Sequence, residues 1–215
     1  MGGPERGVFL TLEGPDGSGK TSQADRLAHD LERERRKVVL VREPGGTELG
    51  ERLRDLLLHR SDIAIDPLAD ALLFNAARAQ LVAEVIGPSL EAGATVVCAR
   101  FADSTLAYQG YGAGVDLDVL RRLEAIATGG LTPDLTILLD VPVEQGLARK
   151  GRGRGALTRF ETDVDVGFHR RVREGFIELA RAEPKRWRVV DASRPRSAVA
   201  EAIRAAIHGV VPEAA

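Results

Sequence analysis

Cysteine is almost absent. Cys98 is the single one in 215 residues, so no disulfide can form within the chain, and its apolar neighbours mark it as a small buried hydrophobe. A charge excess is missing too: 30 Lys and Arg stand against 32 Asp and Glu, a formal net charge of −2, which excludes a protein built overall to hold a polyanion. The histidines, His29, His59, His169 and His208, are scattered without metal-ligand spacing. No apolar run approaches membrane-spanning length, and "MGGPERGVF" has no signal-peptide core. Arg6, where a myristoylation signal carries Ser or Thr, argues against a lipid anchor. These absences lead us to expect a cytoplasmic protein with neither a membrane nor a nucleic acid as partner. No internal repeat is visible.

What is present is an alternation. Short apolar runs at 8–13, 38–42, 95–99, 135–141 and 187–191 read as strands. Amphipathic stretches at 21–35, 48–58, 67–81, 116–128, 164–182 and 195–210 read as helices. Near-continuous Val, Ile and Leu strands separated by helices predict an α/β fold whose parallel sheet is covered on both faces. The length fits one domain over residues 1–215. One segment breaks the pattern: "RKGRGRGALTR", 149–159, carries five basic residues, three glycines and no acid. It is either a solvated loop or a basic lid that closes over phosphates, with glycines as hinges and arginines as forked donors.

"EGPDGSGKTS" follows the first strand and opens the first helix, and it matches G-x-x-x-x-G-K-[ST] at Gly14, Gly19, Lys20 and Thr21. In such a loop backbone N–H groups converge on phosphate oxygens, and the helix N-terminus adds partial positive charge. Gly14, Asp16, Gly17, Ser18, Gly19, Lys20, Thr21 and Ser22 are therefore the candidate triphosphate-binding residues. Lys20 would bridge the β- and γ-phosphates of a nucleoside triphosphate, and Thr21 would ligate Mg²⁺.

Further residues gather beyond the strands' carboxyl ends, where ligands of parallel sheets bind. "REPGGT" closes the second strand with Arg42 and Glu43, and Arg54 lies on the helix leaving that rim. Phe74 and Arg78 are four apart on one helical face. The pair suits a planar base with carbonyl acceptors, although Phe at helical spacing is also the ordinary sign of a core. Arg100 ends the third strand, and Ser104, Thr105, Tyr108 and Gln109 follow on a short helix. Gln109 offers the donor and acceptor that an imide edge requires.

Taken together, "FLTLEGPDGSGKTS", "REPGGTELGERLRDLLL", "LLFNAARAQ", "RFADSTLAYQG", "PDLTILLDVP" and "FHRRVREGFIELA" resemble the bacterial thymidylate kinases, within the P-loop nucleoside monophosphate kinases. The resemblance spans residues 9 to about 180. It implies a three-layer α/β/α fold with five parallel strands in the order 2-3-1-4-5 and a short basic lid at about 149–161. It implies transfer of phosphate from ATP to dTMP, with Mg²⁺, in a homodimer. By the same resemblance Asp16 meets the deoxyribose 3′-hydroxyl, Glu43 helps hold the metal or its waters, and Arg54 and Arg100 hold the dTMP phosphate. Phe74 stacks on thymine and Arg78 bonds its O4. Ser104 and Gln109 meet the base, and Tyr108 excludes a ribose 2′-hydroxyl. The phosphate loop carries no basic helper, so the lid arginines are implied for that role: Arg149, Arg152, Arg154 and, best placed, Arg159.

Two positions depart from the family. The third strand ends Ala99-Arg100-Phe101 where Asp-Arg is usual, and Thr158 stands where Asp usually precedes the lid arginine. The first departure bears on rate and the second on lid anchoring. They leave two alternatives beside an active thymidylate kinase: a catalytically silent nucleotide-binding homologue, or a kinase for another deoxynucleoside monophosphate.

Overall fold

A computed structural model describes residues 6–60, 62–151 and 165–211. Five strands form one all-parallel sheet: β1 (Phe9–Glu13), β2 (Val38–Arg42), β3 (Thr95–Ala99), β4 (Leu135–Asp140) and β5 (Trp187–Asp191). Their order is β2-β3-β1-β4-β5, the expected one. β1 is central, with Leu12 in register with Ala99 on one side and Ile137 on the other. Every residue of β1 and β3 is buried, whereas the edge strands β2 and β5 are partly exposed. That is why the inner strands read as unbroken apolar runs.

The helices are α1 (Lys20–Arg33), α2 (Glu48–His59), α3 (Pro67–Leu81), α4 (Gly87–Glu91), α5 (Ala102–Thr105), α6 (Leu117–Thr128), α7 (Val143–Gly151), α8 (Val166–Ala182) and α9 (Arg196–Ile207). α1 was expected to run to residue 35. It stops two residues earlier, and Arg35 turns the chain at φ 62, which ends an α-helix. Two wider, π-helical turns, Val82–Ile86 and Leu106–Gly112, continue α3 and α5. The second replaces part of the simple short helix expected after Arg100, and it carries Tyr108 and Gln109. α4 and α7 were not expected at all.

Strand alternation divides the interior. Leu10, Leu12, Val97 and Ala99 pack with Leu27 of α1 and Ile203 of α9 on one face. Phe9, Val96, Cys98 and Phe101 pack on the opposite face with Leu81 and Ile86. Glu13, two residues on from Thr11 and four from Phe9, points to this second face. The sheet thus separates an α1 side from a side built of α3, α5, α6 and α8, and the site lies where both meet the strand ends.

Candidate active site

The glycine loop is shaped by backbone demands. Gly14, Gly17 and Gly19 have φ of 141°, 73° and 93°, a region that costs a side chain but not glycine. A Cβ on Gly17 would also sit 1.9 Å from the carbonyl oxygen of Gly146, so loop and α7 touch through two glycines. α1 then starts with Gly19 as its N-cap, without a side-chain cap and without an acidic residue in its first turn. α2, α3, α6 and α8 differ: Thr47, Asp66, Asp116 and Asp165 each accept from a first-turn N–H. The positive end of α1 is thereby left open to an anion. Lys20 is buried, and its Nζ donates to the carbonyls of Gly14 and Pro15, both at 2.8 Å. Burial, with Arg100 nearby, pushes its ammonium down to about 7. Bound phosphates would favour the charged form again.

Arg100 joins this loop to the acceptor side. Its backbone is left-handed, φ 72°, an uncommon and strained state for a residue with a side chain. Its Nη2 donates to Asp16 Oδ1 at 2.6 Å and to the Tyr108 hydroxyl at 3.1 Å, and Tyr108 in turn donates to Asp16 Oδ2 at 2.9 Å. Nη1 lies 3.3 Å from Ser104 Oγ. Against the cost of burial, Arg100 and Lys20 hold the Asp16 carboxyl below its usual range. Glu13 stands behind the group, with Oε1 accepting from the Phe101 N–H and Oε2 from the Ser104 hydroxyl, both at 2.6 Å. Burial, aided by Asp103, pushes its carboxyl up to about 7.

Arg78 is 1% exposed and almost fully committed. Nε donates to Glu43 Oε2 at 2.9 Å, Nη1 to Asn75 Oδ1 at 3.2 Å, and Nη2 to Phe101 O at 3.2 Å and Thr105 Oγ1 at 3.0 Å. A guanidinium has five N–H donors, so the second N–H of Nη1 is left for a ligand carbonyl. Gln109 donates from Nε2 to Asp70 Oδ2 at 2.8 Å, which leaves its amide oxygen as an acceptor. Phe74 is half-buried beside them, and Arg54 donates to the Pro44 carbonyl at 2.8 Å.

Phe74, Arg78 and Gln109, as well as Lys20, Arg149 and Ser193, line one cavity of about 1180 Å³. All the sequence-predicted site residues that are described border it except Gly14, the first residue of the loop. Arg149 also bonds the carbonyls of Ala192 and Ser193, at 2.7 and 3.0 Å. Arg152, Arg154, Thr158 and Arg159 lie outside the described residues. Two carboxylates close in sequence or space to Ala99 are each paired with an arginine: Glu43 with Arg78, and Asp103 with Arg186, at 2.7 and 2.9 Å.

For a metal, the donor set is spare. Among the described residues no group of three or more His, Cys, Asp or Glu could hold one. Thr21 and Asp16 offer oxygens beside the loop, and Glu43 Oε1 is buried without a hydrogen-bond partner among the described residues. Few hard oxygen donors suit Mg²⁺, which keeps several waters and relies on substrate phosphates.

Sequence reasoning missed Glu13, Asp70 and Asn75, and it named Thr105 without its bond to Arg78. Glu13 had a signal, a lone charge ending an otherwise apolar inner strand. Asp70 had one as well, four residues before Phe74 and eight before Arg78, hence on their helical face. Asn75 carried none.

A family model described as thymidylate kinase matches residues 12–203. A thymidylate kinase of Deinococcus radiodurans is 52% identical over 202 residues, covering 94% of this chain and 97% of that protein. One of Thermomicrobium roseum is 50% identical over 203 residues, covering 94% and 95%. A crystal structure of the thymidylate kinase from Ehrlichia chaffeensis matches with a TM-score of 0.75 and 35% identity, over 94% of this chain and 99% of that one.

Proposed function

The chain belongs to the thymidylate kinase family, and from that premise we propose that it transfers the γ-phosphoryl group of ATP to dTMP, giving dTDP and ADP. The observation that carries this reading is the bridge from the phosphate loop to β3. Asp16, Arg100 and Tyr108 are mutually bonded between the loop and the segment that bears Gln109, in one cavity with Arg78. Donor and acceptor phosphates would meet there.

ATP would bind the loop amides and Lys20, at the uncapped start of α1. The dTMP phosphate would be held by Arg54 and Arg100, its deoxyribose by Asp16, with Tyr108 closing the space a 2′-hydroxyl needs. Thymine would stack on Phe74. Its O4 would accept from Arg78 Nη1, and its N3–H would donate to the Gln109 oxygen that Asp70 has oriented. An acceptor phosphate is largely ionised at neutral pH, so no general base is needed. The attacking oxygen displaces ADP in line, while Lys20, Arg100 and the basic segment carrying Arg149, Arg154 and Arg159 neutralise charge on the transferring group. Mg²⁺, when bound, would neutralise phosphate charge; Thr21 would hold it, and Glu43 Oε1 would accept from one of its waters.

Ala99 sets the rate in this reading. Arg100 is already oriented by Asp16 and Ser104, so what position 99 lacks is a carboxylate on the α1 side that would orient the waters of a bound Mg²⁺. Such a loss costs on the order of 10²–10³ in turnover. We assign the chain to the cytoplasm, where a kinase of dTMP that draws on ATP would work; separately, no described helix is long and apolar enough to cross a membrane. We also assign it to a homodimer formed through α2, α3 and α6, whose Leu49, Leu72 and Ile126 are exposed. A coupled assay with ATP and dTMP, beside dUMP, dCMP and dGMP, tests the function. Preference for dTMP is expected, and no turnover with any acceptor would favour the silent homologue.

A further inference from the structure

We infer that Glu13 is a positioning residue for the acceptor-binding arginine: its carboxylate locks the Arg100–Ser104 segment in the geometry that points the guanidinium into the cleft. The inference rests on the proposed function and adds a residue that the loop motif does not include.

Arg100 must leave β3 in a left-handed turn, which a side chain resists. Two successive amides hold that turn against β1. The Arg100 N–H donates to Leu12 O at 3.0 Å, and the Phe101 N–H donates to Glu13 Oε1 at 2.6 Å. The first is a backbone bond that any sequence could make. The second needs a side-chain oxygen acceptor at the last residue of β1, on the face opposite Ala99. Glu13 therefore does not stand in for the missing Asp; the two positions serve different sides of the sheet.

The other oxygen sets the polarity of Ser104. Its hydroxyl has one proton, given to Glu13 Oε2 at 2.6 Å, so its lone pairs face Arg100 Nη1 at 3.3 Å. A neutral group at position 13 that donates toward Ser104 reverses this. Ser104 then accepts from residue 13, its proton turns elsewhere, and Arg100 must share the oxygen with a second donor. Protonation of Glu13 has the same effect. The charges facing it are Asp103 and Arg100 on the acceptor side, Lys20 on α1, and Arg78 and Glu124 beneath, with the Cys98 thiol on β3.

Glu13→Gln is the test, made in the full chain. Its amide oxygen can still accept from Phe101, while its NH₂ reverses Ser104. We expect kcat/KM for dTMP to fall about ten- to a hundredfold, as for loss of a charge-assisted bond, with KM for ATP changed less than about twofold. The wild-type to variant ratio should shrink toward one as pH drops from 8 to 5.5, because the wild-type carboxylate protonates near 7. Equal losses toward ATP and dTMP, or a ratio independent of pH, would overturn the inference. Wild-type protein that fails to phosphorylate dTMP would instead overturn the proposed function. Should Glu13→Gln fail to fold, calorimetric dTMP affinity of the wild type and Ser104→Ala decides. The dTMP phosphate protonates in both proteins, so affinity that falls more steeply below pH 7 in the wild type than in Ser104→Ala supports the relay, and parallel curves overturn it.

Discussion

Removing Glu43 should unseat the floor of the acceptor site. In Glu43→Ala the Arg78 guanidinium loses its only charged hydrogen-bond partner among the described residues. Both contacts go to one oxygen, Oε2, from Nε at 2.9 Å and Nη2 at 2.8 Å, and the two side chains are 1% and 4% exposed. Breaking a buried pair from one side costs about 3–5 kcal/mol, because the remaining charge is stranded. Arg78 keeps three neutral acceptors, on Asn75, Phe101 and Thr105, which places the loss at the lower end, about 3 kcal/mol. For a chain of this size that corresponds to a fall in Tm of roughly 6–12 °C. Thermal unfolding by circular dichroism at pH 7.5 measures it. The double variant Glu43→Ala/Arg78→Met, with no stranded charge, should recover part of the loss. A Tm within about 2 °C of the wild type, or a double variant no better than the sum of its parts, would refute the reasoning. The same variant separates the two roles proposed for Glu43. Anchorage alone raises KM for dTMP, and a metal role also raises the Mg²⁺ concentration needed for half-maximal rate.

Ala99→Asp should raise kcat on the order of 10² or more; an unchanged rate in the coupled assay would mean that Ala99 is no lesion. Glu124, buried on α6 with Oε1 unpartnered, has its carboxyl pushed up to about 8 by burial. A raised carboxyl pKa favours the protonated folded state, so this group's contribution is intact below the unfolded value, near 4.5, and is lost as pH rises through about 8. Glu124→Gln should therefore match the wild type in Tm at pH 5 and exceed it by several degrees at pH 9. A Cβ at Gly146 would lie 2.4 Å from the Asp16 carbonyl oxygen. Gly146→Ala should lower Tm and weaken ATP binding by calorimetry more than it weakens dTMP binding.

The glycine loop was legible because spacing and context coincide: three positive-φ glycines in a fixed pattern between a strand and a helix. Sheet order followed from the resemblance, and strand positions from apolar runs that burial on both faces enforces. Phe74 and Arg78 were legible as neighbours through helical spacing. What that spacing could not reveal was their support, since Glu43 and Thr105 come from other elements and meet Arg78 only in three dimensions. The π-helical turn at Leu106–Gly112 was hidden for a different reason. One extra residue per turn leaves no mark in composition, yet it decides which way Tyr108 and Gln109 face. α7 escaped notice because its Gly146 reads as a helix breaker, while its value is the close approach to Gly17.

The bare start of α1 has a consequence for the folding of the whole chain. Every comparable long helix named above as capped finishes its own first turn, and an unmade cap costs about 1 kcal/mol. A nucleotide's phosphate supplies what Gly19 cannot, so the ligand acts as the helix's N-terminal residue in all but covalence. Nucleotide and core are then linked through α1, whose Leu27 and Leu31 pack in the core behind the sheet. The protein's resistance to unfolding is accordingly a readout of the nucleotide pool around it, rising with the logarithm of ligand over its dissociation constant.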